Sequence, residues 1–195
     1  MPPPAAPLVL ASRSPQRRSL LRRLGVALEV RPTDVPERDR GDPHDVALEN
    51  ALRKAHAATR DHSAETVLGV DTLVHRGDAI FGKPEDQAHA RRTLSALSGA
   101  THRVVSGLAL VDRGRVLTAT AETQVSFRGL DDTILAWYLA TGEWRGRAGA
   151  YAIQGAGAAL VSGIEGDYEN VVGLPLATLL DMLPDLLWNS AARAP

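Results

Sequence analysis

The sequence predicts an α/β fold built on a mixed sheet, and three observations lead there. Short apolar runs of strand type alternate with segments whose apolar residues recur at helical spacing. The first of these runs passes through a tight turn directly into a helix. Further on, Arg76-Gly77-Asp78 and Asp112-Arg113-Gly114 each join two strand-like runs and read as hairpin turns. Strands alternating with helices, with antiparallel hairpins among them, fit a mixed sheet better than a doubly wound one. No internal repeat or linker divides the 195 residues, so one domain is expected over 8–188, after a disordered arm at 1–7 and before a flexible tail at 189–195.

The elements follow in order. Leu8-Val9-Leu10-Ala11 is the first strand. Ser14 is a good N-cap and Pro15 suits the first helical position, so a helix follows with Leu20, Leu21 and Leu24 as its stripe and Gly25 as its stop. A polar stretch over 31–45 leads to an alanine-rich helix from Val46 to Thr59. Thr66 to His75 is a strand, turning at Arg76-Gly77-Asp78 into Ala79-Ile80-Phe81. Pro84, Glu85 and Asp86 open a helix carrying Ala90, Leu94 and Leu97, with Gly99 just past its end. Thr101 to Val111 and Arg115 to Phe127 flank a three-residue hairpin signal. Asp131 or Asp132 caps a helix ending at Gly142. Between Gly146 and Gly173 lie 7 of the 17 glycines, so the backbone there turns sharply or approaches something closely. Leu174 to Leu183 is the last helix, stopped by Pro184.

Composition excludes several functions. A net charge of -1 gives no global field for nucleic acid, so any anion site is local. The absence of cysteine removes disulfides, thiolate nucleophiles and Cys-containing zinc sites, and favours a cytoplasmic protein. The N-terminal segment lacks the charged and apolar regions of a signal peptide, and no apolar run is long enough to span a membrane. Gly77 to Pro84 meets Walker spacing but puts Pro84 where a hydroxyl must hold magnesium, and Gly155-Ala156-Gly157 lacks the third glycine of a dinucleotide fingerprint. The histidines, His44, His56, His62, His75, His89 and His102, show no paired ligand spacing and read as ordinary polar residues. No Gly-x-Ser-x-Gly elbow is present.

Three features could carry chemistry. The turn from Ser12 to Arg17 puts a helix N-terminus after a strand, where free N–H groups and a positive dipole end await an anion. Arg17 opposes that dipole, so it either holds an outside anion or is a solvated cation on a basic face. Asp71 interrupts the run from Val67 to Val74; it is either a carboxylate with a metal, cation or catalytic task, or one on the wet face of a half-buried strand. Thr72 beside it points to the other face or to the strand end. All but two of the 22 basic residues are arginine, which makes Lys54 and Lys83, as compact point charges, either phosphate ligands or residual drift.

Taken together, Leu8 to Arg18, Gly69-Val70-Asp71-Thr72, Gly82-Lys83-Pro84, Ala148 to Gly155 and Ile164 to Leu176 resemble the Maf family in order and spacing. The resemblance implies an elongated mixed sheet flanked by helices, related to the inosine-triphosphate pyrophosphatases, with two lobes around a cleft lined by the glycine-rich segment. It implies hydrolysis of a nucleoside triphosphate to monophosphate and pyrophosphate with a divalent cation, Mg2+ or alternatively Mn2+, and a nucleotide-pool cleaning role. Asp71 would be the catalytic base, Ser12, Arg17, Lys54 and Lys83 would bind phosphates, and Glu37 with Asp71 would hold metal. Thr72 and Gln154 resemble the branch acting on dTTP and UTP, with CTP or modified pyrimidine nucleotides as further substrates. Gln16 stands where that branch has arginine, which makes it a third specificity position. The alternatives are a pyrophosphatase for 7-methyl-GTP or other modified nucleotides, and a nucleotide-binding regulator of cell division with little turnover. The nucleoside triphosphate is the expected partner, with neither nucleic acid nor membrane, and a homodimer is the candidate assembly.

Overall fold

A computed structural model describes residues 7–60 and 65–187, so nearly all of the expected arm and all of the expected tail lie outside the described residues. Along the chain run β1 (Leu8–Ala11), α1 (Pro15–Arg23), β2 (Leu28–Val30), α2 (Pro43–Ala58), β3 (Thr66–Arg76), β4 (Ala79–Phe81) and α3 (Gln87–Leu97). There follow β5 (Thr101–Asp112), β6 (Arg115–Phe127), α4 (Asp132–Thr141), two short 3-10 turns, β7 (Val161–Glu165), α5 (Tyr168–Val172) and α6 (Leu176–Met182). The strands form one mixed sheet in the order β2-β1-β3-β5-β6-β7, with β4 beside the far end of β3. β1 lies parallel to β2 and β3, and every other pairing is antiparallel. Among the described residues no helix is long and apolar enough to cross a membrane.

Local chemistry explains the helix starts. Ser14, Asp42, Asp86, Asp131 and Asp167 each accept a hydrogen bond from a first-turn backbone N–H, and Pro15 and Pro43 follow two of these caps. Several expectations need correction on this ground. The Asp42-Pro43 start brings α2 forward from Val46 into the polar stretch. Asp86, not Pro84, opens α3, and Pro84 is buried ahead of it. The hairpin between β5 and β6 closes on two residues, because Asp112 pairs with Arg115 and both Arg113 (φ 47°) and Gly114 (φ 79°) take the left-handed conformation of a type I′ turn. The edge strands β2 and β7, half-exposed or exposed, carry no buried alternation to announce them. The last helix begins only at Leu176, since Pro175 precedes it as cap.

The strand pleat divides the core. Leu8, Leu10, Leu68, Val70, Leu108 and Leu110 face α1 and α6, where Leu20, Leu21 and Leu179 cover them. Val9, Ala11, Val67, Ala109 and Val111 face α2, covered by Ala51, Ala55 and Ala58. Farther along β3, β5 and β6, Val74, Val104 and Val125 belong to a separate core with Leu94, Leu97, Tyr138 and Tyr151. On the α1 face the two cores part at Thr72 and Ser106, which sit opposite each other between Val70 and Val74 on β3 and between Leu108 and Val104 on β5. The two lobes are thus two cores on one continuous sheet.

The glycine-rich segment is pinned to the second core. Gly149 (φ 69°) lies so close to β3 that a methyl there would come within 2.9 Å of a Val74 methyl. The Glu143 carboxylate accepts the backbone N–H groups of Ala156 (3.0 Å) and Gly157 (3.2 Å), and any side chain at Gly155 would run into its oxygens.

Two glycines decide how closely α2 approaches the sheet. A methyl on Gly69 of β3 would meet the Ala51 carbonyl oxygen and come within 2.7 Å of the Ala55 nitrogen, and one on Gly107 of β5 would meet the backbone of Ala47. Gly107→Ala is therefore expected to lower stability by about 2–3 kcal/mol in urea denaturation, since backbone must move to admit the methyl. Gly163→Ala, with open space around it, is expected to stay near wild type.

His102 supplies a second measurable property. It is buried between Phe127 and Tyr151, accepting from or donating to the Tyr151 hydroxyl at 3.0 Å through Nε2. Burial, with a smaller push from His75, lowers its pKa to about 4. The unfolded chain therefore protonates first, so this contribution is complete above the unfolded value of roughly 6.5 and drains away as pH falls toward about 4. The thermal midpoint is expected to fall across that window, and less steeply in His102→Gln.

Candidate active site

Asp71 and Thr72 are neighbours on β3, so the pleat sends them to opposite faces. Each enters its own polar network. Asp71 faces α2 and is 5% exposed. Its Oδ1 lies 2.6 Å from Lys54 Nζ, and its Oδ2 accepts from Asn50 Nδ2 at 2.9 Å. The same ammonium lies 2.6 Å from Glu37 Oε1, so Lys54 bridges two carboxylates. Asn50 also takes the Arg38 backbone, donating to its oxygen (2.9 Å) and accepting from its nitrogen (2.8 Å), which ties the loop bearing Glu37 to the helix. Both Asn50 N–H donors are thereby used, while Asp71 retains unused lone pairs on both oxygens.

On the other face Arg17 is buried in the first turn of α1. Its Nε donates to the Gly173 carbonyl (2.8 Å), Nη1 to Ser12 Oγ (3.0 Å) and Nη2 to Thr72 Oγ1 (2.8 Å). Thr72 in turn shares a hydrogen bond with Ser106 Oγ at 2.9 Å. Three of the five guanidinium donors are spent on the protein, leaving one N–H on each terminal nitrogen. Burial pulls the Arg17 pKa below its ordinary value, against the attraction of Asp71 and Glu37. Burial likewise disfavours ionised Glu37, but the hydrogen bond and charge of Lys54, helped by Lys83 and Arg17, outweigh it and hold its carboxyl below the usual range.

Ser12, Arg17, Glu37, Lys54, Asp71 and Thr72 are therefore gathered around the middle of β3. Lys83 is exposed on the segment after β4, and its charge reaches Glu37. Gln16, in the first turn of α1, accepts from the Ser14 hydroxyl at 3.3 Å. Gln154 is exposed, and no hydrogen bond or ion pair among the described residues joins it to this group. Sequence reasoning missed Asn50 and Ser106. A signal for Asn50 exists: it stands four residues before Lys54 within the stripe of Ala47, Ala51 and Ala55, which places both polar groups on the buried face of α2.

The arrangement presents one buried, oriented carboxylate, a second carboxylate beside it, and cations on both faces of the strand. The α1 N-terminus adds to the positive side, with no acidic residue in its first turn. Such a site suits an anion that must be held while a proton is removed nearby.

Comparison with known proteins agrees with this chemistry. A family model described as Maf-like protein matches residues 7–186. A dTTP/UTP pyrophosphatase of Pyrococcus furiosus is 40% identical over 178 residues, covering 90% of this chain and 93% of that protein. One of Anaeromyxobacter dehalogenans is 46% identical over 182 residues (90% and 92%), and one of Gloeobacter violaceus 45% identical over 180 (91% and 95%).

Removal of the amide that orients the carboxylate tests the network. Asn50→Ala strands the buried Asp71 Oδ2 and takes both partners from the part-buried Arg38 backbone, so a loss of about 1–3 kcal/mol in the urea transition is expected. Arg13→Ala, which removes only the exposed pair with Asp34, is expected to change it by less than about 0.5 kcal/mol.

Proposed function

The chain belongs to the Maf-like family, and from that premise we propose that it is a nucleoside triphosphate pyrophosphatase that splits dTTP and UTP between the α and β phosphates. The observation that carries the reading is the Asp71 carboxylate, buried and aimed by Lys54 and Asn50, with Glu37, Arg17 and Lys83 around it.

In this mechanism a water attacks the α-phosphorus in line with the departing pyrophosphate. Asp71 accepts the water proton on a lone pair that neither Lys54 nor Asn50 occupies. The new P–O bond forms as the α–β bridging bond breaks, and pyrophosphate leaves with its electron pair. The two free N–H groups of Arg17, the Ser12 turn and the start of α1 hold the triphosphate, while Lys54 and Lys83 offset charge on its oxygens. Arg17 needs no rearrangement to do this, because Ser12, Thr72 and Gly173 already fix its plane.

Glu37 and Asp71 are the residues that would hold a divalent cation. Their oxygens already converge on a single positive charge, Lys54 Nζ, and hard carboxylate donors suit Mg2+ or Mn2+. When bound, such an ion supplies further neutralisation of the phosphate oxygens. Base selection falls to Gln16 and Gln154, whose amides can each donate and accept, and to Thr72 acting through Arg17.

Pyrophosphate release measured with Mg2+ against dTTP, UTP, CTP and 7-methyl-GTP is expected to favour the first two. Asp71→Asn is expected to lower kcat by at least about 100-fold with KM little changed and the circular dichroism spectrum intact. Full activity of that variant would overturn the role of Asp71; preference for 7-methyl-GTP would overturn the substrate.

A further inference from the structure

The α2 face of the sheet carries a second group of ligating side chains. His44 stands in the first turn of α2, His75 lies two pleats beyond Asp71 on β3, and Glu122 projects from β6. One ligand atom from each lies within 4.8 Å of the other two. His44 Nε2 is 2.9 Å and His75 Nε2 3.6 Å from Glu122 Oε2. The group is separate from the site around Asp71: four residues of strand span roughly 13 Å, and the buried Leu73 stands between.

His75 shows what the group lacks. The residue is 7% exposed, and its Nε2 has no hydrogen-bond partner. Its Nδ1 lies 3.1 Å from the Gly77 carbonyl, which can only accept, so Nδ1 carries a proton and, in the neutral imidazole, the Nε2 lone pair faces the group. In that form a lone pair and a carboxylate oxygen face each other at 3.6 Å, two acceptors that a shared cation would reconcile. A backbone carbonyl on the far nitrogen is the arrangement that orients a metal-binding histidine. Glu122 is oriented too, since Arg103 Nη1 engages Oε1 at 3.0 Å and leaves Oε2 to the histidines.

We propose that His44, His75 and Glu122 form a binding site for a divalent transition metal of the zinc type, independent of the proposed hydrolysis. Two imidazoles, which are borderline donors, with one carboxylate make a His2Glu set suited to Zn2+, with a fourth position open to water. Zn–N and Zn–O bonds near 2.1 Å place tetrahedral ligand atoms about 3.4 Å apart, between the two distances observed here. His44 is half-exposed, so its ring can swing to close the set. The ion would stitch the start of α2 to β3 and β6, and so brace the helix that carries Asn50 and Lys54.

The test uses the full-length chain after chelator treatment, titrated with ZnCl2 in a calorimeter, with Co2+ as a spectroscopic probe. About one equivalent of Zn2+ is expected to bind through this site, raising the thermal midpoint by about 5 °C at saturation, and Co2+ is expected to show the strong visible absorption of four-coordination. His44→Ala and Glu122→Gln are each expected to weaken binding by at least about 100-fold and abolish the midpoint shift. His44→Ala removes a half-exposed ring, so a folded variant is available whatever becomes of Glu122→Gln. Asp71→Asn is expected to keep both the equivalent and the shift. Unchanged binding in the His44 and Glu122 variants, loss of binding in Asp71→Asn, or no binding by wild type would each overturn the proposal.

Discussion

Helix α2 rests on bare backbone. Gly69 and Gly107 leave no Cβ between the helix and two adjacent strands, and the helix answers with Ala47, Ala51 and Ala55. That intimacy sets the reach of every polar group on the helix. Asn50 and Lys54 meet Asp71 at hydrogen-bond distance because the helix axis is that near, and Gly107 is itself the cross-strand neighbour of Asp71. Taking a carboxylate and an ammonium out of water costs several kcal/mol per ion, and close geometry together with the amide of Asn50 is what offsets it.

The opposite face of β3 follows a different logic. There the polar groups mark a seam between two hydrophobic cores, and Thr72 and Ser106 occupy it with Arg17 laid across. A guanidinium that joins the first turn of the chain, the central strand and the end of α5 makes three distant segments share one position. A single peptide link therefore separates the network that aims a carboxylate from the network that aims a cation. The two are ordered relative to each other by backbone geometry, without any direct side-chain contact between Asp71 and Thr72.

Much of this was legible in the sequence. Ser14-Pro15 after an apolar run announces the turn and helix that carry Arg17, and an aspartate within Val67 to Val74 stands out because strands seldom bury one. Lysine scarcity singled out Lys54 by a route unrelated to structure. What stayed hidden depends on pairing across the sheet. β2 and β7 are exposed or half-exposed edges with little apolar content to place them. The alanine stripe of α2 places Asn50 on the buried face, but its partners, Asp71 and the Arg38 backbone, come from other segments. His44, His75 and Glu122 come from three elements remote in the chain, so no spacing rule could join them.

The cap that Glu143 places on the glycine-rich segment has an evolutionary consequence. A side chain at position 155 collides with the carboxylate, while loss of the carboxylate first leaves the N–H groups of Ala156 and Gly157 without their acceptor. Neither substitution is a neutral first step, so the two positions are locked to each other across eleven intervening positions of chain. Drift in this stretch is channelled instead to the exposed Ala158 and Ala159, where a lineage can change its surface without reopening the fold beneath.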